Sequence, residues 1–266
     1  MEYYLLSYNC CFPLPTVKGY LSIMYSRYFT PGQRLQVQTL YEDNLPARRE
    51  AMNVLFTNYE LGYFDVAIPH SWPVKEGLPF PEGSPLEIVS ERYGLWLKSS
   101  ASFHSQPSDK VIRLRMNDDL CIFRHSPQQR VETQIGLCYS ARRGDLPTFH
   151  RQWRQQIKKL STTATALTAP SFSRGQVNLS ASGIRMPLQT AVEKNDLCLL
   201  MLSLDDASDP ICTLTEVIWT APQEEGQGIT TGMQFLNILQ KDQQRIEQFV
   251  NRNLPRKTKG PAVADR

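Results

Sequence analysis

The residues whose types and spacing could do chemistry are Asn178-Leu179-Ser180-Ala181-Ser182-Gly183, an N-x-S-x-x-G string, and Arg130 well upstream of it. An arginine fork can grip a phosphate through two parallel hydrogen bonds, or donate to the O6 and N7 of a guanine while stacking on a base. An asparagine oxygen can accept from base N–H groups, and a serine hydroxyl can fix a turn or reach a ligand. Glycine lets backbone approach closely or turn through positive φ. The plain alternative is a polar turn between two strands, since Asn, Ser and Gly are favoured there for turn reasons alone. Arg130 would then be a solvated linker residue.

Other chemistries find little in the sequence. The six cysteines, at 10, 11, 121, 138, 198 and 212, form no C-x-x-C pair, and His70, His104, His125 and His150 stand apart from them. A metal site needs closely spaced ligand pairs, so none is expected. Cys138, Cys198 and Cys212 sit in apolar runs, as reduced cysteines acting as small hydrophobes do. Nothing matches a nucleophile elbow, a P-loop or a dinucleotide fingerprint, so the chain reads as not an enzyme and without a cofactor. Asp205-Asp206 with Asp209 reads as a turn, Asp118-Asp119 as a hairpin tip, and Arg48-Arg49 beside Glu50 as a surface loop.

The elements that must position the N-x-S-x-x-G string are mostly strands. Short β-branched or aromatic segments at 34–39, 51–56, 64–67, 86–90, 95–100, 111–115 and 120–123 are bounded by Gly, Pro, Ser, Asn or Asp, which predicts strands. Residues 68–85 hold five prolines and two glycines and read as a loop. About six strands at this spacing suggest a small barrel or sandwich. The polar run 124–129 reads as a hinge. Strands follow at 134–139, 176–179, 184–188, 197–204, 211–219 and 232–239. Between them, Leu146, Phe149, Trp153, Ile157 and Leu160 recur at steps of three and four, which predicts a helix over 146–160 with one apolar stripe. Phe149 and Trp153 read as core anchors and the basic outer side as a solvated face. Residues 161–173 read as a loop, 241–253 as a closing helix on Ile246, Phe249 and Val250, and 255–266 as a frayed tail. The domains are therefore expected at 1–124 and 125–254.

The N-x-S-x-x-G string, set between a loop and a strand, resembles the [D/N]-x-S-x-x-G motif of PilZ domains. The run Gly232-Met233-Gln234-Phe235-Leu236 before an apolar-striped helix resembles a PilZ C-terminus. The β domain ahead of it resembles the two-domain arrangement of YcgR-type proteins. The resemblance implies a mainly β fold of two tandem small β-barrels. An N-terminal YcgR-like split barrel precedes a C-terminal PilZ-like barrel, with a helical insertion and a C-terminal helix. It also implies a bacterial regulator that binds cyclic di-GMP at Arg130, Gln129, Gln134, Asn178, Ser180 and Gly183. Arg130 would contact phosphate or guanine and Asn178 would accept from guanine, while Ser180 and Gly183 would shape the turn. On the family's R-R-x-x-x-R half-motif, Gln129 and Gln134 stand at two arginine positions and Arg130 is retained. Each lost bidentate contact costs about 1–3 kcal/mol. Arg124, Arg142, Arg143, Arg174 and Arg185 lie near enough in sequence to compensate.

Three function classes follow. The first is a cyclic di-GMP receptor that converts nucleotide level into domain orientation and contact with a protein partner of the motility or surface-behaviour machinery. The second is a ligand-blind PilZ-like adaptor, which the two glutamines favour. The third is a small-barrel nucleic-acid binder, supported by the basic helix alone. The net charge of +3 supplies no bulk field that demands nucleic acid or an acidic membrane. Residues 1–15 carry no Lys or Arg ahead of their apolar residues, and no apolar run approaches the ~20 residues of a spanning helix. The expected location is cytoplasmic, without membrane insertion.

Overall fold

The computed structural model describes residues 25, 27–41, 47–70, 72–124, 128–142, 144–162, 171–206, 208–222 and 228–255. Cys10, Cys11, the hinge core at 125–127, Arg143, most of the 161–173 loop and the tail from 256 lie outside the described residues.

The strands are β1 Arg34–Tyr41, β2 Arg48–Glu60, β3 Tyr63–Ala67, β4 Pro85–Arg92, β5 Leu95–Ser108, β6 Val111–Met116 and β7 Cys121–Arg124, then β8 Val131–Arg142, β9 Ser173–Ser180, β10 Gly183–Leu188, β11 Leu197–Ser203, β12 Ile211–Pro222 and β13 Ile229–Leu239. Helix α1, Leu146–Thr162, lies between β8 and β9, and α2, Gln240–Asn253, follows β13. The order β1-β4-β5-β6-β3-β2 closes on itself because β1 also pairs β2. The order β13-β10-β9-β8-β11-β12 closes in the same way through β12 and β13. The fold is thus mainly β, with two small closed rings in tandem, a helical insertion and a C-terminal helix.

Alternation along the strands supplies the two interiors. Leu35, Val37, Val54, Phe56, Phe64, Val66, Ile112 and Leu114 fill the first ring. Ile135, Val177, Leu179, Ile184, Leu200, Leu202 and Phe235 fill the second, with Ile246 and Val250 of α2 packed on them. The stripe of α1 behaves as the spacing predicts: Leu146, Phe149, Trp153 and Ile157 are all buried, Trp153 completely. They pack, however, within the apolar cluster of the first ring together with Leu197, Cys212 and Leu214 of the second. The Trp153 indole donates to the Cys212 carbonyl at 3.1 Å. Helix α1 is therefore a wedge between the rings.

The rings also meet edge to edge. Strand β2 pairs β13 over Arg48↔Leu239, Arg49↔Ile238 and Glu50↔Asn237. This overturns the surface-loop reading of Arg48–Glu50. Arg48 is 1% exposed and Glu50 5%, because each charge has a buried partner. Arg48 Nε donates to Glu50 Oε1 at 2.7 Å, and His150 of α1 donates to Glu50 Oε2 at 2.8 Å. The hairpin reading of Asp118-Asp119 also fails. Strands β6 and β7 both pair antiparallel to β5 and follow each other along it. Asp119 accepts from Ser99 Oγ and the Ser100 backbone at 2.9 and 2.7 Å, which holds the break between them against β5.

Candidate functional site

The N-x-S-x-x-G string makes the β9–β10 turn. Ser180 pairs with Gly183 across it, and the buried Ser180 hydroxyl donates to the Gly183 carbonyl at 3.1 Å. Gly183 must be glycine for a contact reason: a Cβ there would run into the Met233 carbonyl of β13. The Phe235 amide donates to the Ser182 carbonyl at 2.9 Å, so the turn is stitched to β13.

Arg130, immediately before β8, lies across this turn. Its Nη1 donates to Ser180 Oγ and its Nη2 to the Asn178 carbonyl, both at 3.0 Å, and its Nε donates to Asn178 Oδ1. The Asn178 amide donates to Glu132 at 2.7 Å, and Glu132 also pairs with Arg185 of β10. Burial, and then the neighbouring Arg185 charge, lower the Arg130 pKa. Two guanidiniums thus stand near one another with the Glu132 carboxylate beside them.

These side chains open onto a cavity of about 550 Å3 lined by Arg130, Asn178, Ser182, Gly183, Arg185, Trp219, Gly232 and Gln234, among others. Its floor has a specific construction. Arg185, Gly232 and Trp219 form one row across β10, β13 and β12. The β12–β13 register slips between Val217 and Trp219, and such a bulge re-aims a side chain. The indole, 42% exposed, lies over Gly232 where any Cβ would strike it. An exposed aromatic face, two guanidiniums and a turn rich in acceptors therefore surround one opening.

The cavity brings together Arg130, Asn178 and Gly183 of the residues expected from sequence, with Ser180 beneath them. Gln129 is exposed in the segment before β8. Gln134 lies inside β8, which begins at Val131, and pairs with Gln176; neither glutamine lines the cavity. Of the compensating arginines, Arg185 lines it, whereas Arg174 pairs with Asp205. Sequence reasoning missed Trp219 and Gln234. Their signal was weak: a tryptophan closing the apolar run Val217-Ile218-Trp219 and a polar residue inside Gly232–Leu236.

The opening lies at one edge of the second closed ring and is framed by Arg130 and the N-x-S-x-x-G turn. Residues 148–252 match the family model of the PilZ domain, and the chain carries a PilZ domain there. The match begins within α1, so β8 and Arg130 precede it. None of the curated proteins matches the sequence. Among solved structures, the chain is similar to apo MrkH of K. pneumonia, 13% identical with a TM-score of 0.36 over 90% of this chain and 95% of that one. It is similar to the Bacillus subtilis inhibitor of motility MotI/DgrA, 12% identical with a TM-score of 0.33 over 84% and 97%. It is also similar to Escherichia coli YcgR in complex with c-di-GMP, 9% identical with a TM-score of 0.30 over 88% and 87%. Among the described residues no group of three or more His, Cys, Asp or Glu could hold a metal ion, and no helix is long and apolar enough to cross a membrane.

Proposed function

We propose that the protein is a cytoplasmic, non-enzymatic regulator that binds cyclic di-GMP in this cavity and converts binding into a changed ring orientation and contact with a protein partner, in the motility or surface-behaviour machinery. The observation that carries the reading is the convergence of Arg130, Arg185, Trp219 and the Asn178–Gly183 turn on one opening of about 550 Å3, within the ~300–1,000 Å3 of small-molecule sites. The PilZ match over 148–252 supports it. Arg130 spends three N–H groups on the turn, and a guanidinium has five. The remaining two can reach a phosphate or a guanine edge without dismantling the turn. Arg185, once released from Glu132, takes the place of an arginine lost at Gln129 or Gln134. Trp219 offers a face for a base; stacking on an aromatic side chain is worth about 1–3 kcal/mol per base.

A second reading has its own observation. Glu132 already accepts from both Arg185 and Asn178, so the site is internally satisfied as a ligand-blind adaptor's would be. Calorimetric titration separates the two readings, with cyclic di-GMP against wild type, Arg130→Ala, Gln129→Arg and Gln134→Arg, and cyclic di-AMP as control. Binding by wild type that Arg130→Ala weakens about ten- to a hundredfold is the expected result. Absence of binding in all four at high micromolar ligand overturns the receptor reading.

A further inference from the structure

The β2–β13 ladder ends in an unusual way beside the cavity. It pairs Glu50 with Asn237 by backbone. Continued three positions in the same register, it would pair Asn53 with Gln234. There the strands no longer pair, and side chains span the gap: Asn53 Nδ2 donates to Gln234 Oε1 at 3.0 Å. Gln234 lines the cavity and stands opposite Gly183, the last residue of the N-x-S-x-x-G string. The same Asn53 nitrogen donates to Glu216 Oε2 at 3.0 Å, and Glu216 Oε1 accepts from Arg34 Nη1 at 3.1 Å. Asn53 and Glu216 are 2% and 0% exposed. Asn53 and Arg34 belong to the first ring, and Gln234 and Glu216 to the second. Both hydrogens of the Asn53 amide are thus committed to the other ring, one of them to a wall of the cavity.

From this juxtaposition we propose that Asn53 is a positioning residue of the nucleotide site supplied by the first ring, holding Gln234 in competition with the ligand. The inference rests on the receptor reading above. The Gln234 carbonyl has two lone pairs, so the competition arises where the ligand draws the amide into the cavity, out of reach of Asn53. Binding therefore loosens the contact between the rings at this end, while the Arg48–Glu50 ladder stays as the pivot. Coupling of this kind is reciprocal: whatever releases Gln234 from Asn53 in advance tightens binding.

The test uses the full chain and cyclic di-GMP itself. Asn53→Ala is expected to bind the nucleotide about fivefold or more tighter than wild type. In wild type, nucleotide is expected to raise amide hydrogen exchange at 52–55, a readout that needs no substitution and so survives a poorly folding variant. Equal affinity of the two proteins, or a fall in exchange at 52–55 when wild type binds, overturns the inference and leaves the receptor reading in place. Binding by Asn53→Ala where wild type shows none supports it strongly. Absence of binding in both proteins overturns the receptor reading, and the inference with it.

Discussion

Two buried glutamates stand at the junction of the same pair of rings, and their pKa values are shifted in opposite directions. Glu50 sits where β2 and β13 are joined by backbone, under the α1 wedge, next to Trp72 and His150. Burial alone would raise its pKa, but the His150 and Arg48 hydrogen bonds and charges outweigh that and hold it below the ordinary carboxylate range. Glu216 sits where the strands have parted, beside the cavity. There burial outweighs Arg34 and Asn53, and its pKa is raised. His70, whose Nε2 stands 3.9 Å from it, is pushed down by burial and then by Arg34. One end of the junction is thus backbone-paired and electrostatically satisfied. The other is joined through side chains and carries a carboxylate in an unfavourable setting. A junction built this way is expected to open more readily at the Glu216 end, where Asn53 also holds Gln234 of the cavity wall.

The largest test of this contrast is at the backbone-paired end. Trp153→Ala should cost about 3–5 kcal/mol as a core truncation, read from denaturant unfolding, because the indole fills the wedge completely. A loss below about 1 kcal/mol would show that α1 does not bind the rings together. Next, His150→Ala should cost about 1.5–3 kcal/mol at neutral pH, the range for a hydrogen bond to a charged group; thermal melts would show it.

The two carboxylates should then separate by pH. Glu50 has a folded-state pKa below its unfolded one, so its contribution is full above the unfolded value and is lost as pH falls through the lowered pKa. Glu216 has a raised folded-state pKa, so its contribution is present below the unfolded value and is lost as pH rises through the raised one. Thermal midpoints of Glu50→Gln and Glu216→Gln against wild type, across the acid range, should therefore diverge with opposite slopes. Parallel slopes would erase the distinction between the two ends. The smallest stability effect is expected at Arg185→Ala. Its pair with Glu132 is half exposed, so stability should stay within about 0.5 kcal/mol. Calorimetry should nevertheless show about ten- to a hundredfold weaker cyclic di-GMP binding.

Much of the fold was legible because it rests on local patterns. The alternation at 34–39 and the stripe at 146–160 each report a burial face directly, and the N-x-S-x-x-G string reports a turn. What stayed hidden depends on partners distant in sequence. Arg48-Arg49-Glu50 reads as a solvated charge cluster until His150 and β13 are placed against it. Trp219 gains meaning only from Gly232 beneath it and Arg185 in the same row. Asp118-Asp119 follows a common turn pattern, but whether a turn reverses a strand or merely interrupts it depends on what β5 pairs with. The half-motif was harder still, because Gln134 is removed from the cavity by a β8 that starts three residues earlier than its apolar pattern suggests.

The α1 wedge has a consequence for how the chain is made. The first ring's strands are complete by Met116, yet its apolar cluster includes Leu146, Phe149, Trp153 and Ile157, together with Leu236 and Leu239. During synthesis, which runs from the N-terminus, that ring leaves the ribosome with Trp72 uncovered and with Glu50 lacking His150. It acquires His150 with α1, and Leu236 and Leu239 only when the last strand has emerged. A fragment ending near residue 124 should accordingly expose apolar surface and aggregate, whereas the full chain acquires both rings in one late cooperative step.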